Sequence, residues 1–327
     1  MTTAETLAGF SKIAALVVGD ICLDRWCTYD PSTAEPSRET GIPRIGVVAT
    51  QVTPGGGGTV ANNLAALGAA RVAVLGVLGD DGFSFELRRA LQARGISTEL
   101  LVRDPSIPTF TYTKIINSQT GIEDRPRVDF IFTNPIPAEV ERKVLDRLEA
   151  AVGGYGAILV SDQAETSHGG VVTPAVRNLL ADLARRYPQK IFWVDSRKRL
   201  ELFRKVTVKA NQDEVETACR SLFGQLDLER LRQHLESTLL MVTEGAEGVL
   251  VVDQKGQWRV PTRRVSNPVD ICGAGDSFSA GAALTLAVTG SPLEAARLGN
   301  LVASVTIMKK GTGTASPAEV LAAEKLL

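Results

Sequence analysis

Five short apolar runs, each stopping at a turn or a polar residue, limit what this chain can fold into. They are "IAALVVGD" (13–20), "RVAVLGVLG" (71–79), "AILVSD" (157–162), "KIFWVDS" (190–196) and "LLMVTEG" (239–245). Segments with apolar residues at helical spacing separate them: 59–69, the amphipathic "FSFELRRALQARG" (83–95), 171–187, 212–222 and 227–237. Runs this short and this apolar suit strands buried on both faces, and strands alternating with helices build a parallel sheet. The rhythm predicts an α/β fold, a doubly wound and mostly parallel sheet flanked by helices. Such sheets bind ligands beyond the carboxyl ends of their strands. Asp20, Asp162, Asp195 and Thr243 fall at those ends.

Two stretches break the rhythm. Residues 22–53 hold several Pro, Ser and Thr residues before "RIGVVATQV", and residues 108–133 hold "TFTYTKIIN", a turn at "SQTG" and "RVDFIF". Both read as extended pairs inserted into the α/β pattern, and a small β-sheet made from them would cover the main body as a lid. A single domain over residues 1–327 with this two-part insertion is the expected layout.

Charge narrows the partners. With 36 basic against 37 acidic residues there is no global field to draw nucleic acid or an anionic membrane. Aromatic residues make up 5%, which supplies few stacking platforms for bases. Phosphate recognition must therefore be local. Cys22, Cys27, Cys219 and Cys272 form no CxxC pair, and only His168 and His234 could join them, so a zinc site is not expected. Their apolar settings suit buried, reduced thiols of a cytosolic protein. The first residues lack the basic start and apolar core of a signal peptide, and no run reaches the ~18 apolar residues of a membrane span. A cytoplasmic location is expected.

Four short stretches carry chemistry. In "DICGAGDSFSAG" (270–281) a carboxylate, Asp276, follows Gly273, Ala274 and Gly275 at the start of a helix that Gly290 can end. The first amides of a helix lack internal partners and carry the positive end of its dipole. Asp276 either complements that dipole or works beside an anion seated there. In "TPGGGGTVANNLAALG" (53–68) glycines precede a helix, which permits close backbone approach to a ligand or simply a turn. No Gly-Lys-Ser/Thr follows, so this is not a Walker loop. In "KANQDEVE" (209–216) Asn211 and Glu214 sit three apart, as a capping box or as a pair ordering the waters of a magnesium ion. "VTEGAEG" (242–248) ends a strand in a glycine turn, and "VVGDICLDR" (17–25) puts Asp20 and Asp24 past the first strand, where carboxylates can meet sugar hydroxyls or solvent.

Taken in order, "GDxxLDR", "PGGGGTVANNLAALGA", "NxxE" and "DxxGAGDSFxAG" resemble the PfkB/ribokinase family of carbohydrate kinases over essentially the whole chain. The resemblance implies a ribokinase-like fold and ATP-dependent phosphorylation of an alcohol, with Mg2+. It implies that Asp276 is the general base and that the amides of Gly273, Ala274 and Gly275 form an anion hole. Asn211 and Glu214 would position magnesium through water. Thr243, Gly245, Gly248 and Asn300 match positions lining the nucleotide, and Asp24, Gly55, Gly56, Thr59 and Asn63 match the sugar side. Asp270 with the "KKGTGT" loop (309–314) matches the region where relatives hold a monovalent cation such as K+. Lid strands commonly pair between two subunits, so a homodimer is expected, with a sugar or sugar phosphate and ATP as small-molecule partners.

Within the family the chain looks most like the D-glycero-D-manno-heptose 7-phosphate kinases of ADP-heptose synthesis. "VVGDICLDRW", the glycine run, "RVDF" (127–130) and "KKGTGTASPAEV" carry this likeness. It implies transfer to the C1 hydroxyl of a sugar that already bears a phosphate, with Arg127 the candidate to hold that phosphate. The chain departs from this subfamily where "PGGAANVA" becomes "PGGGGTVA", so that Thr59 stands for an asparagine expected to touch the sugar. Cys272 likewise replaces the threonine of "DxTGAGD", which leaves the amides intact. No HxGH-type nucleotidyltransferase motif is present, so kinase chemistry alone is expected. The alternatives are a kinase for fructose, ribose or a nucleoside, or a silent binding homologue.

Overall fold

The computed structural model describes residues 1–326. From the N-terminus the strands are β1 (Ala14–Gly19), β2 (Ile21–Tyr29), β3 (Val47–Gly56), β4 (Arg71–Leu75) and β5 (Val77–Leu78). Next come β6 (Val102–Arg103), β7 (Thr111–Asn117), β8 (Val128–Phe130), β9 (Ala157–Asp162) and β10 (Ile191–Ser196). The last four are β11 (Thr207–Asn211), β12 (Leu239–Thr243), β13 (Val249–Asp253) and β14 (Gly256–Val260). The helices are α1 (Thr3–Gly9), α2 (Gly57–Ala66), α3 (Gly82–Gln92), α4 (Ala138–Ala151) and α5 (Pro174–Arg186). They continue with α6 (Gln212–Phe223), α7 (Leu228–His234), α8 (Ala274–Thr289), α9 (Pro292–Thr306) and α10 (Pro317–Glu324).

Eight strands form the main sheet in the order β14-β13-β12-β11-β10-β9-β1-β4. From β4 to β12 every pairing is parallel, and β12, β13 and β14 close that edge as an antiparallel meander. The five apolar runs supply five of the six parallel strands; the sixth, β11, was masked by its charged Lys209 and by its brevity. Successive side chains point to opposite faces, so Ala15 and Val17 join one core while Leu16 and Val18 join the other. The first core packs under α2, α8 and α9; the second under α4, α5, α6 and α7. This two-sided burial is why the strands read as continuous apolar runs.

"RVAVLGVLG" is not a single strand: β4 ends at Leu75, and β5 leaves the main sheet to pair with β6. Gly76 lies at the break, where an added β-carbon would meet the Gly19 carbonyl oxygen at 2.6 Å. The crowding there is backbone against backbone, which no apolar pattern encodes.

The two segments that broke the α/β rhythm meet in a second, four-stranded sheet ordered β3-β2-β7-β8. It extends further into the glycine run than the 22–53 reading had it, since β3 continues through Gly55 and Gly56 and α2 begins at Gly57. Its outer strands expose Val47 and Val48 on β3 and Val128 and Phe130 on β8. No helix among the described residues is long and apolar enough to cross a membrane. The chain leaves β1 for β4 on one side and returns to β9 on the other, so the sheet has its switch point beside β1. Ligands of doubly wound sheets bind at that point, beyond the strand ends.

Candidate active site

Over those strand ends, between the main sheet and the small sheet, lies a cleft of about 660 Å³. The start of α8 forms part of its wall. Gly273 takes a left-handed conformation (φ 77°) at the N-cap and offers no side chain to cap the helix. A β-carbon on it would lie 3.2 Å from Thr59 Cγ2 and 3.3 Å from Thr312 Cγ2. Of the first-turn amides, Ala274 N–H is turned onto the Ile271 carbonyl at 3.2 Å, and Ser277 N–H donates to the Gly273 carbonyl at 2.9 Å. The N–H groups of Gly275 and Asp276 have no protein acceptor among the described residues. Two free amides at the positive end of a sixteen-residue helix make a ready anion seat.

Asp276 lines the cleft beside those amides without a hydrogen-bond partner among the described residues. Burial, and then the neighbouring Asp195 carboxylate, push its pKa up to about 8 against the pull of Lys209. Lys209 is itself buried, and its Nζ donates to Asp195 Oδ2 at 2.8 Å. Burial works against its charge, but the carboxylates of Asp195, Glu214 and Asp276 outweigh that and hold its pKa above the ordinary lysine value. Its ammonium packs against the first turn of α8: a β-carbon on Gly275 would sit 2.9 Å from Nζ. A cation, two free amides and the carboxyl group of Asp276 thus share one corner.

The small sheet supplies the opposite wall. Asp24 on β2 is mostly enclosed, and burial raises its pKa to about 6 even though Lys114 and Arg127 draw it down. Gly55 exists to make room for it, because a β-carbon there would lie 2.2 Å from Asp24 Oδ1. Arg127 lies over the Tyr112 ring at 4.8 Å and is bound to Asp129 through Nε (2.8 Å) and Nη2 (2.7 Å). Lys114, from β7, enters the same wall and among the described residues has only a long contact to Glu123, at 3.9 Å. Gly56 and Thr59 line the cleft floor, where the Thr59 hydroxyl donates to the Pro54 carbonyl at 3.2 Å.

Asn211 and Glu214 form a full capping box at the start of α6. Asn211 Oδ1 accepts from Glu214 N at 2.9 Å, and Glu214 Oε2 accepts from Asn211 N at 2.7 Å. Both also line the cleft, so capping and ligand contact are not exclusive here. The box leaves Glu214 Oε1 without a protein partner among the described residues. Burial, then Asp195, raises the pKa of Glu214. Hard oxygens that leave room for water and phosphate ligands fit a magnesium ion. No group of three or more His, Cys, Asp or Glu residues that could hold a metal alone occurs among the described residues.

Other expected residues lie behind or beside the cleft. Asn63 is fully buried, and its amide donates to the Thr59 carbonyl (3.0 Å) and the Gly313 carbonyl (3.5 Å), tying α2 to the 311–314 loop. Asp270 accepts from Cys272 N (2.9 Å) and Gly311 N (3.1 Å), bracing two loops. Thr243 ends β12 with its hydroxyl on the Ala210 carbonyl, and Gly245 and Gly248 bound the turn into β13. Asn300, on α9, donates to the carbonyls of Val260 and Pro261 at 3.2 and 3.4 Å. Three cysteines are buried as expected, but Cys272 is exposed because it sits in the loop at the cleft edge rather than in a core.

A family model described as "pfkB family carbohydrate kinase" matches residues 15–319. The chain belongs to the pfkB family of carbohydrate kinases. Its similar curated relatives include the "Bifunctional protein HldE" of Pelobacter propionicus, 33% identical over 325 residues, and that of Geotalea uraniireducens, 33% identical over 319. Each match covers 95% of this chain and 63% of the relative, so the kinase spans under two thirds of their length. Among solved structures it resembles a ribokinase from Thermotoga maritima (TM-score 0.69, 21% identity, 96% of this chain and 99% of that one). It also resembles an Arabidopsis thaliana ribokinase complexed with ribose and ATP (TM-score 0.67, 18% identity, 96% and 99%). These likenesses show a ribokinase fold. Family membership makes the kinase a phosphotransferase with an alcohol acceptor, and implies ATP with, typically, Mg2+.

Lys209, Lys114, Tyr112, Gln163 and Arg197 also line the cleft, and none of them is a candidate residue of the motifs above. Lys209 was in view, two residues before Asn211 in "KANQDEVE", and a lysine inside a buried apolar strand is a signal in its own right. The others come from loops or from the small sheet, where nothing local marks them.

Proposed function

We propose that this kinase transfers the γ-phosphoryl group of ATP to a hydroxyl of a phosphorylated sugar, with Asp276 as the base. The observation that carries the reading is the corner where an unpartnered Asp276 sits beside two free helix amides and the Lys209 ammonium. Phosphoryl transfer needs positioning and stabilisation of spread negative charge more than covalent chemistry. The amides and Lys209 supply the positive field, and Asp276 takes the proton of the attacking hydroxyl. Asp24 on the facing wall accepts hydrogen bonds from other sugar hydroxyls and so fixes which one points at Asp276. Asn211 and Glu214 would hold the magnesium ion, which when bound neutralises charge on the phosphate oxygens.

Burial sets the pH response. A base must be ionised to act, and the pKa of Asp276 stands near 8 in the free protein. The acceptor kcat/KM is therefore expected to rise about tenfold per pH unit below that value and to level off above it. Below about 6, where Asp24 also takes a proton, the slope should steepen. A pH–rate series from 5.5 to 9.5 checks this, and a flat profile between 6.5 and 8.5 contradicts the assignment.

The acceptor's own phosphate has a place in this reading. Arg127, oriented by Asp129 and stacked on Tyr112, and Lys114 both face Asp24 from the small sheet. Together they suit a phosphate at the far end of the sugar. Arg127→Gln is expected to raise KM for a sugar phosphate roughly 10–100-fold, with kcat changed by no more than a few-fold, as loss of a charge-assisted hydrogen bond predicts. An ADP-release screen across heptose, fructose, ribose and nucleoside acceptors, free and phosphorylated, with and without potassium, tests the whole reading. Turnover confined to unphosphorylated acceptors sinks the phosphate subsite while leaving the base in place.

A further inference from the structure

A second cavity, of about 500 Å³, opens between α3, β6 and α4, away from the catalytic residues. Three arginines line it: Arg88 from α3, Arg103 from β6 and Arg147 from α4. Gln92 and Thr98 complete the polar rim, hydrogen-bonded to each other at 3.2 Å, and Glu99 is the one carboxylate. Three positive charges thus face one negative in a chain whose formal net charge is −1.

These arginines are not spent on the protein itself. Arg88 makes no ion pair or hydrogen bond among the described residues, although it is half-buried. Arg147 donates through Nη1 to the Leu101 carbonyl at 2.7 Å, which fixes its stem without neutralising its charge. Arg103 meets Asp80 only at 3.6 Å, with both side chains more than half exposed, a contact of little strength. Among the described residues Glu99 pairs with none of the three. Like charges gathered on a concave surface repel one another, and nothing in the packing of α3 against β2 and β3 requires them there.

Guanidinium forks match the oxygens of a phosphoryl group two at a time. The cavity has the size of small-molecule sites rather than of a groove for nucleic acid. Helix α3 also touches a residue of the catalytic cleft. On its other edge Glu86 lies 3.5 Å from Arg25 Nε, and the Phe83 ring lies under the same guanidinium at 4.6 Å. Arg25 is part of the cleft wall.

We propose that this cavity is a second anion site, for a small ligand bearing a phosphoryl group, coupled to the catalytic cleft through α3. The test uses the full chain with the nucleotide site saturated by a non-hydrolysable ATP analogue, and binding that Arg127→Gln weakens but Arg88→Gln does not belongs to the acceptor subsite and overturns the proposal. Inorganic phosphate, pyrophosphate and glucose 6-phosphate are each titrated by calorimetry. At least one is expected to bind saturably, and Arg88→Gln should weaken it about tenfold or more while leaving activity without the probe unchanged. Arg103→Gln serves as an independent second variant. Inorganic phosphate binding as tightly as the organic probe supports a simple anion site; preference for glucose 6-phosphate supports a metabolite site. No binding by any probe, or binding equal in both variants and wild type, overturns the proposal. An acceptor KM that stays fixed at saturating probe overturns the coupling.

Discussion

Asp276→Asn is expected to lower kcat by about 10²–10⁴-fold and, in the same protein, to raise the stability of the ligand-free chain at pH 7. The two effects share one cause. In the unfolded chain this carboxyl ionises around its ordinary value of 3.8, but in the folded chain burial and Asp195 delay ionisation until about pH 8. Folding therefore holds a proton that the unfolded chain would release. Stability falls as pH rises from 3.8 towards 8 and has lost all it will lose above that. At 1.36 kcal/mol per pH unit, less some screening at the cleft mouth, the cost at pH 7 is on the order of 2–4 kcal/mol. Asparagine keeps the shape and removes the titration. Thermal melts at pH 5 and pH 8 with parallel ADP-release assays check it: the Asn variant should gain most at the higher pH. Turnover within threefold of wild type would falsify the base assignment, whatever the melts show.

Lys209→Met should be the other large loss, roughly 10²–10³-fold in kcat, because it removes a cation aimed at developing negative charge in a water-poor corner. The same change leaves Asp195 buried without its partner, which destabilises the fold by about 3–5 kcal/mol. A catalytic and a structural role are separated by a second substitution. Asp195→Asn in the Lys209→Met background removes the orphaned charge, so it should recover most of the lost stability and none of the lost kcat. Recovery of both would assign Lys209 to the fold alone. Because Lys209 also draws the pKa of Asp276 down, the single variant should shift the pH profile of any residual activity upward.

The fold was legible because its driving force is linear in the sequence. Strands buried on two faces must be apolar throughout, and "AILVSD" or "KIFWVDS" cannot be read as a half-exposed strand or a surface helix. Glycine punctuation marked the start of α8 and its left-handed end at Gly290. Where backbone met backbone, at Gly76, the same reasoning merged two strands into one. Part of the candidate site was legible for a related reason. Asp276, Asn211 and Glu214 stand at helix starts, where local geometry fixes which groups are unpartnered. Asn63 shows the limit: it shares a helix face with Thr59, yet it is buried and its amide reaches a loop some 250 residues later.

By itself, the sequence determined the layered α/β plan, the glycine-opened helix and the carboxylate at its head, since each depends on neighbours a few residues apart. Only the tertiary structure decided which charges meet. Lys209 reaches Asp195 because β10 and β11 lie side by side, and its Nζ meets the first turn of α8, which packs on the face of the same sheet. Lys114 and Arg127 reach Asp24 because β2 pairs with β7 and β7 with β8. Electrostatic energies depend on distance and burial in three dimensions, and the pKa values of the site are set by residues far apart along the chain.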